Sequence, residues 1–239
     1  MIQEKLSMAF RLRLALVKVF DSLCKIQRWR ELEKTLRRVG ENSDDFFFIQ
    51  IGANDGVIYD PIYQFVRQYN WSGILVEPVP CYFNRLLINY QGNSNLYFEN
   101  VAISDQDEQR DFYRVQEGLD FLPEWCNGLG TFNLDVLLTH KWAIPNLEDY
   151  VVKETVECLS LDSLLKKYAV DNVDLLLIDT EGYDYQVLKQ LDLDLIRPSI
   201  LLYEHQYFRQ EERQKCENRL QQAGYRISSH MGNTLAYAE

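Results

Sequence analysis

Residues 46–78 read FFFIQIGANDGVIYDPIYQFVRQYNWSGILVEP. The run Phe46–Ile51 is too short for a helix and rich in aromatic and branched side chains, which predicts a buried strand. Gly52-Ala53-Asn54-Asp55-Gly56 follows, and its glycines let the backbone turn tightly and approach a ligand with no Cβ in the way. After Gly56 a helical pattern passes through Ile58, Ile62, Phe65, Val66 and Tyr69. Ile74-Leu75-Val76 then predicts a second strand, ending on Glu77. Strand, glycine turn, helix, strand and acid make a nucleotide-binding βαβ unit, with Glu77 placed to accept hydrogen bonds from ribose hydroxyls.

A dinucleotide site would carry G-x-G-x-x-G, whose second glycine lets a pyrophosphate sit on the backbone at the helix N-terminus. Here Asn54 and Asp55 occupy that turn, and a carboxylate repels a pyrophosphate. An acid in the turn suits a ligand with a cationic end, such as S-adenosylmethionine, ahead of NAD. The plainer alternative is a βα turn in which Asp55 only caps the following helix.

The chain of 239 residues is long enough for one α/β domain with an appendage. Its apolar content of 46% marks a globular chain, and no apolar run approaches a bilayer-spanning length. Arg11, Arg13 and Lys18 interrupt any signal-peptide core. Five scattered cysteines with no C-x-x-C point to reduced thiols, a cytoplasmic setting and no cysteine-rich zinc site. Residues 1–40 carry +6 and the remainder −17 of the net −11. So acidic a body is a poor binder of nucleic acid, whose affinity comes mostly from phosphate neutralisation.

Residues 1–43 form a basic segment with apolar positions at helical spacing, from Leu6 to Val39. It is expected to pack on the domain or on a partner, a second copy of the chain included. The sharper alternative is a peripheral contact with an anionic membrane face. Residues 44–239 form the ligand-binding domain. Within it Leu96–Ile103 reads as a third strand with Ser104-Asp105 at its tip, and Arg110–Val115 as its hairpin partner. Residues 116–150 lose all periodicity, and hold Phe121, Trp125, Phe132 and Trp142. Such a segment is either a substrate lid or an insertion with its own small core. Val151–Leu159 is a strand and Leu161–Tyr168 a short helix. Val173–Ile178 and Ser199–Tyr203 are buried strands, followed by a polar helix near 209–223. Two closing strands, 225–229 and 234–238, are split by Gly232-Asn233. The order predicts a mostly parallel, seven-stranded α/β sheet of the Rossmann-like kind with one antiparallel strand.

Ligands of open parallel sheets bind beyond the carboxyl ends of the strands. Those ends carry Gly52 to Gly56, Glu77, Ser104-Asp105, Asp179 to Gly182 and Glu204-His205. Acids end four of them, each after a buried run, which suits a general base or a metal site. His205 is the favoured base, because imidazole titrates near neutrality, with Asp179 or Glu181 as the alternative. Asp179, Glu181 and Glu204 form an oxygen-rich set that would suit Mg2+.

The series IQIGANDG, ILVEPVP, NVAISD, LSLDSLL, LLLIDTEGYDYQVL and ILLYEH, spanning residues 46–205, resembles the FkbM-type methyltransferases. The resemblance implies the class I fold and S-adenosylmethionine-dependent O-methyl transfer to a sugar or natural-product hydroxyl. It places Gly52, Ala53, Asn54, Asp55 and Gly56 along the methionine and ribose, with Glu77 and Pro78 at the ribose. Ala102, Ile103, Ser104 and Asp105 would lie against the adenine, and Asp179 at the methionine end. Glu181 and His205 would face the acceptor. A nicotinamide-dependent oxidoreductase or a non-catalytic relative on the same fold are the competing readings.

Overall fold

The computed structural model describes residues 30–40, 45–119, 121–122, 124–126, 128–144 and 146–238. Most of the basic N-terminal segment, and with it the membrane-contact expectation, lies outside the described residues. Its last stretch is helix α1 (Arg30–Gly40), which buries Leu32 and Leu36 in the same cluster as Phe46 and Phe65.

Strand β1 (Phe47–Ile51) sits centrally, flanked by β2 (Ser72–Val76) and β8 (Leu175–Ile178). Ile49 is registered with Ile74 on one side and Leu176 on the other. Beyond β2 lies β3 (Leu96–Glu99), and beyond β8 lies β9 (Ile200–Glu204), all parallel. The hairpin β10 (Tyr225–His230) and β11 (Asn233–Ala238) closes the sheet, with β11 antiparallel to β9. The order β10-β11-β9-β8-β1-β2-β3 is the expected seven-stranded sheet with a single strand reversed. The hairpin turns on Met231-Gly232, one residue earlier than the sequence suggests; both take positive φ, which a tight two-residue loop requires.

Successive residues of each strand point to opposite faces, and both faces are buried. Ile49, Ile51, Val76, Leu176 and Ile178 pack against α5 (Leu161–Lys167), α6 (Asp184–Gln190) and α7 (Gln210–Gln222). Phe48, Leu75, Leu175 and Leu177 pack against α1, α2 (Tyr63–Tyr69) and α3 (Pro80–Asn89). Helix α2 starts later than the apolar spacing implies. Asp55 and Asp60 each accept two backbone N–H groups, from Val57 and Ile58 and from Ile62 and Tyr63, and so stabilise turns in place of a first helical turn.

A second sheet changes the middle of the chain. The run Leu96–Ile103 is not one strand: it breaks at Asn100, whose side-chain amide donates to the carbonyls of Glu77 and Pro78. Beyond the break, β4 (Ala102–Ser104) joins β7 (Val151–Ser160), β5 (Glu108–Val115) and β6 (Gly130–Thr131) in the order β4-β7-β5-β6. The partner of β5 is therefore β7, paired antiparallel from Glu108–Cys158 to Val115–Val151, and not the preceding strand. The adjacent polar pair Glu99-Asn100 marked the break, whereas alternation in β5 cannot reveal a partner some 40 residues on. The stretch between β5 and β7 is thus an excursion closed at its base, where Gln116 N–H donates to the Tyr150 carbonyl. It has its own core of Leu119, Leu122, Cys126, Leu137, Ile144 and Leu147, and a short helix, α4 (Leu134–Leu138).

Candidate active site

A cavity of about 610 Å³ opens over the carboxyl ends of β1, β2, β8 and β9, walled on one side by the second sheet and the insertion. Its size is that of a small-molecule site.

Gly52 joins β1 to the turn. Its φ is 83°, and a Cβ there would stand 1.9 Å from the Asp179 carbonyl oxygen, so only glycine lets the ends of β1 and β8 meet. Asn54, also left-handed at φ 51°, donates its backbone N–H to Glu77 Oε2. Val79 N–H donates to Oε1 of the same carboxylate. Glu77 is 6% exposed, and burial pushes its carboxyl up to about 7. Fixed by two backbone donors, both its oxygens keep a lone pair for a ligand. Gln50, buried near the carboxyl end of β1, donates to Asp60 Oδ2, and burial raises Asp60 to about 6.

At the β8 and β9 ends, the carboxylates of Asp179, Glu181 and Glu204 offer oxygens that all lie within 4.8 Å of one another. Glu181 and Gly182 both have positive φ, 49° and 99°, so the chain reverses at once after β8. Behind them Asp184 is fully buried. Its Oδ2 accepts from the Thr180 hydroxyl and N–H, and its Oδ1 from the Glu204 N–H. Burial, with Asp179 close by, raises its pKa.

The insertion adds His140. Tyr207 O–H donates to Glu181 Oε2 at 3.2 Å and lies 2.9 Å from His140 Nε2. A hydroxyl has one proton; given to Glu181, the oxygen must accept from His140 Nε2–H. Nδ1 then carries no proton, in accord with its having no hydrogen-bond partner among the described residues. Burial lowers His140 to about 4, so the imidazole is neutral at pH 7. Trp125 and Trp142 stack at 6.0 Å on the same wall, with Trp142 half exposed.

Of the residues the sequence singled out, Gly52, Ala53, Asn54, Glu77, Pro78, Ala102, Ile103, Asp179, Glu181 and Glu204 line this one cavity. Asp55, Gly56, Ser104, Asp105 and His205 do not. Asp55 is spent on backbone caps, and a Cβ on Gly56 would meet Leu86 and Tyr90 in the core. Ser104 is fully buried, donating to the Gln106 carbonyl. Asp105 accepts from Tyr183 O–H, which holds its carboxyl below the usual range. His205 shares a hydrogen bond with Thr234 through Nδ1, away from the cavity, and burial lowers its pKa. A histidine just past a strand end has its side-chain direction set by the pleat, and here it turns from the site. The histidine that does line the cavity, His140, comes from the aperiodic insertion, where no strand-end argument reaches. Asp184 had a signal: an acid in the first turn of the helix after the IDTEG turn.

The fold, a seven-stranded sheet with its cavity at the strand ends, is that of the class I methyltransferases. Residues 50–227 match the methyltransferase FkbM domain, most of the chain, and the protein belongs to that S-adenosylmethionine-dependent family. Among solved structures, a methyltransferase FkbM from Methylobacillus flagellatus KT aligns with a TM-score of 0.50 and 13% identity, over 81% of this chain and 44% of that one. A precorrin-6y C5,15-methyltransferase from Geobacter metallireducens GS-15 aligns with a TM-score of 0.40 and 10% identity, over 87% and 86%. At 13% identity the likeness to the Methylobacillus protein speaks for the fold alone, and the present chain spans less than half the length of that protein. No curated protein matches the chain. Among the described residues no helix is long and apolar enough to cross a membrane.

The cavity suits the family's cofactor. Asp60, Glu77, Asp179, Glu181 and Glu204 line it, with no Lys or Arg among the described lining residues, an electrostatic setting for a cationic ligand.

Proposed function

We propose that the protein transfers a methyl group to a hydroxyl of a sugar or related glycan acceptor. The observation that carries this reading is the pairing, within one cavity, of the Asp179, Glu181 and Glu204 carboxylates with the Trp125–Trp142 wall. Stacked, partly exposed indoles give a sugar ring an apolar face to lie on, and the carboxylates accept its hydroxyls.

When bound, S-adenosylmethionine supplies a methyl group on a positively charged sulfur. Glu77 would accept the ribose hydroxyls, with Gly52 and Asn54 lining the cavity beside it. Asp179 would hold the methionine end. Glu181 is the base that takes the acceptor proton, its carboxylate held by Tyr207 and, through Tyr207, by His140. The chief contribution is alignment of acceptor oxygen with methyl and sulfur; a placed base adds about 10²–10⁴-fold. The insertion shields the site from water. Asp179, Glu181 and Glu204 also fit Mg2+, since they offer only hard carboxylate oxygens within one ion's reach, and they would hold it beside the acceptor.

The test is methyl transfer to a panel of neutral glycosides and lipid-linked oligosaccharides, read by mass spectrometry with wild type and Glu181→Gln. A mass gain of one methyl on a hydroxyl, cut about a hundredfold by the substitution, supports the reading. Methylation confined to amines, or full turnover by Glu181→Gln, sinks it.

A further inference from the structure

Trp142 and Met231 are large, apolar and well exposed, and both line the cavity, so they stand at its opening. They come from distant parts of the chain, yet both are tied to the segment that follows β9. The insertion reaches that segment through His140 Nε2, 2.9 Å from the Tyr207 hydroxyl, and Trp125 links His140 to Trp142 at ring distances of 5.5 and 6.0 Å. The closing hairpin reaches it where the His205 N–H donates to the Gly232 carbonyl at 2.6 Å and Asn233 pairs with Glu204. This apolar opening therefore lies beside Glu181 and Glu204, and β9 is three strands along the sheet from β2, after which Glu77 stands. Met231 holds its place at a backbone cost. It takes φ 46° in the two-residue turn between β10 and β11, where Asn ahead of Gly232 would suit the left-handed backbone, and its side chain is left 43% exposed. A strained residue that presents a flexible apolar side chain at a cavity points to a ligand.

We infer that the acceptor is an amphipathic glycoside, an uncharged sugar bearing an alkyl or aryl aglycone, and that Met231 is the residue that selects for the aglycone. The inference rests on the reading of the cavity as a site of methyl transfer to a sugar hydroxyl, and adds what that sugar carries. Charge decides which end enters. The interior holds carboxylates and, among the described lining residues, no Lys or Arg, so a phosphate- or carboxylate-bearing head is repelled. The sugar lies inside, against the indoles and within reach of Glu181, and the aglycone leaves past Trp142 and over Met231. An unbranched thioether side chain adapts its shape to chains of different outline, which a branched or aromatic residue at the turn would not.

The experiment measures methyl transfer from S-adenosylmethionine to paired methyl and octyl pyranosides of glucose, galactose and mannose, below micelle-forming concentrations. Wild type, Met231→Asn and Leu195→Asn are compared, with melting temperatures recorded for each; Leu195 is an exposed apolar residue away from the cavity. In any pair that is methylated, wild type should favour the octyl member about thirtyfold in kcat/KM, mostly through KM, as burial of part of the chain implies. Met231→Asn should cut that ratio to about fivefold. It should also melt no lower than wild type, because Asn-Gly suits the turn, so the lost preference is not a loosened fold. Leu195→Asn should keep the wild-type ratio. Octyl glucuronide, with the same chain on an anionic head, should react at least about tenfold more slowly than octyl glucoside. Equal kcat/KM for methyl and octyl members in wild type, or an undiminished ratio in Met231→Asn, overturns the inference and leaves the transfer reading standing. Glucuronide and glucoside reacting alike overturns the uncharged head. Transfer to no sugar hydroxyl in either series overturns the reading beneath, and the inference with it.

Discussion

Asp184 accepts the backbone N–H of Glu204 at 3.0 Å, although the two residues belong to different elements and only one of them faces the cavity. The same buried carboxylate holds Thr180 through two further hydrogen bonds. It therefore fixes the spacing between the β8 turn, which carries Asp179 and Glu181, and the end of β9. Removing it leaves three donors without that partner in a dry environment, and an unsatisfied buried polar group costs about 1–3 kcal/mol. Asp184→Ala is expected to lose about 2–4 kcal/mol in denaturant unfolding, and Asp184→Asn less than half of that. Wild-type unfolding of the alanine variant would refute the role.

Burial also sets the pH dependence of stability. Burial pushes Asp60 and Glu77 up to about 6 and about 7 in the fold, against 3.8 and 4.5 for the free side chains, and Asp184 moves in the same direction. Folded carboxyls with raised pKa values hold protons that the unfolded chain has released. Stability from these groups is complete below their unfolded values and is lost as pH rises through the folded ones. The ligand-free protein should accordingly melt at a higher temperature at pH 5.5 than at pH 8. Glu77→Gln should flatten part of that slope, because an amide cannot titrate. A melting temperature that climbs from pH 5.5 to 8 contradicts the argument.

Two glycines with almost the same backbone angle should respond differently to a methyl group. Gly52 has φ 83° and the Asp179 carbonyl 1.9 Å from its would-be Cβ, while Gly92 has φ 86° and nothing within 4 Å. Gly92→Ala pays only for its left-handed backbone, about 1 kcal/mol. Gly52→Ala must also force β1 and β8 apart at the floor of the site. It should lose about 3 kcal/mol or more and show no detectable S-adenosylhomocysteine binding, whereas Gly92→Ala binds as wild type. Equal behaviour of the two in calorimetry would place the constraint elsewhere.

The βαβ core was readable because each buried strand is a short apolar run ended by glycine or acid, and because a parallel sheet buried on both faces leaves that signature. Gly52, Glu77, Asp179, Glu181 and Glu204 follow directly, since strand ends define the site. What the sequence concealed depends on partners distant along the chain. Pairing of β5 with β7 joins Glu108 to Cys158 across the whole insertion, and nothing local to either strand names the other. The break at Asn100 left a trace, the adjacent polar pair Glu99-Asn100, but its cause, the bonds of Asn100 to the Glu77 and Pro78 carbonyls, is not local. His205 and His140 exchanged places for a similar reason. The former sits at a strand end but points to Thr234, and the latter reaches the cavity only through the insertion's own core.

The last prediction concerns the ion. Three carboxylates whose oxygens lie within 4.8 Å repel one another, and Glu204 is only 5% exposed, so solvent screens the repulsion poorly. A divalent cation that binds the folded state alone must raise its stability by mass action, about 1.4 kcal/mol at ten times the dissociation constant. At pH 8, millimolar Mg2+ should therefore raise the melting temperature above that in EDTA. Glu204→Gln removes one charge and one hard ligand, so it should abolish the Mg2+ increment while melting higher than wild type in EDTA through relief of the repulsion. Mn2+ titration followed by electron paramagnetic resonance should saturate at one site in wild type and show none in Glu204→Gln. Identical melting in Mg2+ and EDTA, with no Mn2+ bound, would mean that the three carboxylates act without metal, leaving proton removal to Glu181 alone.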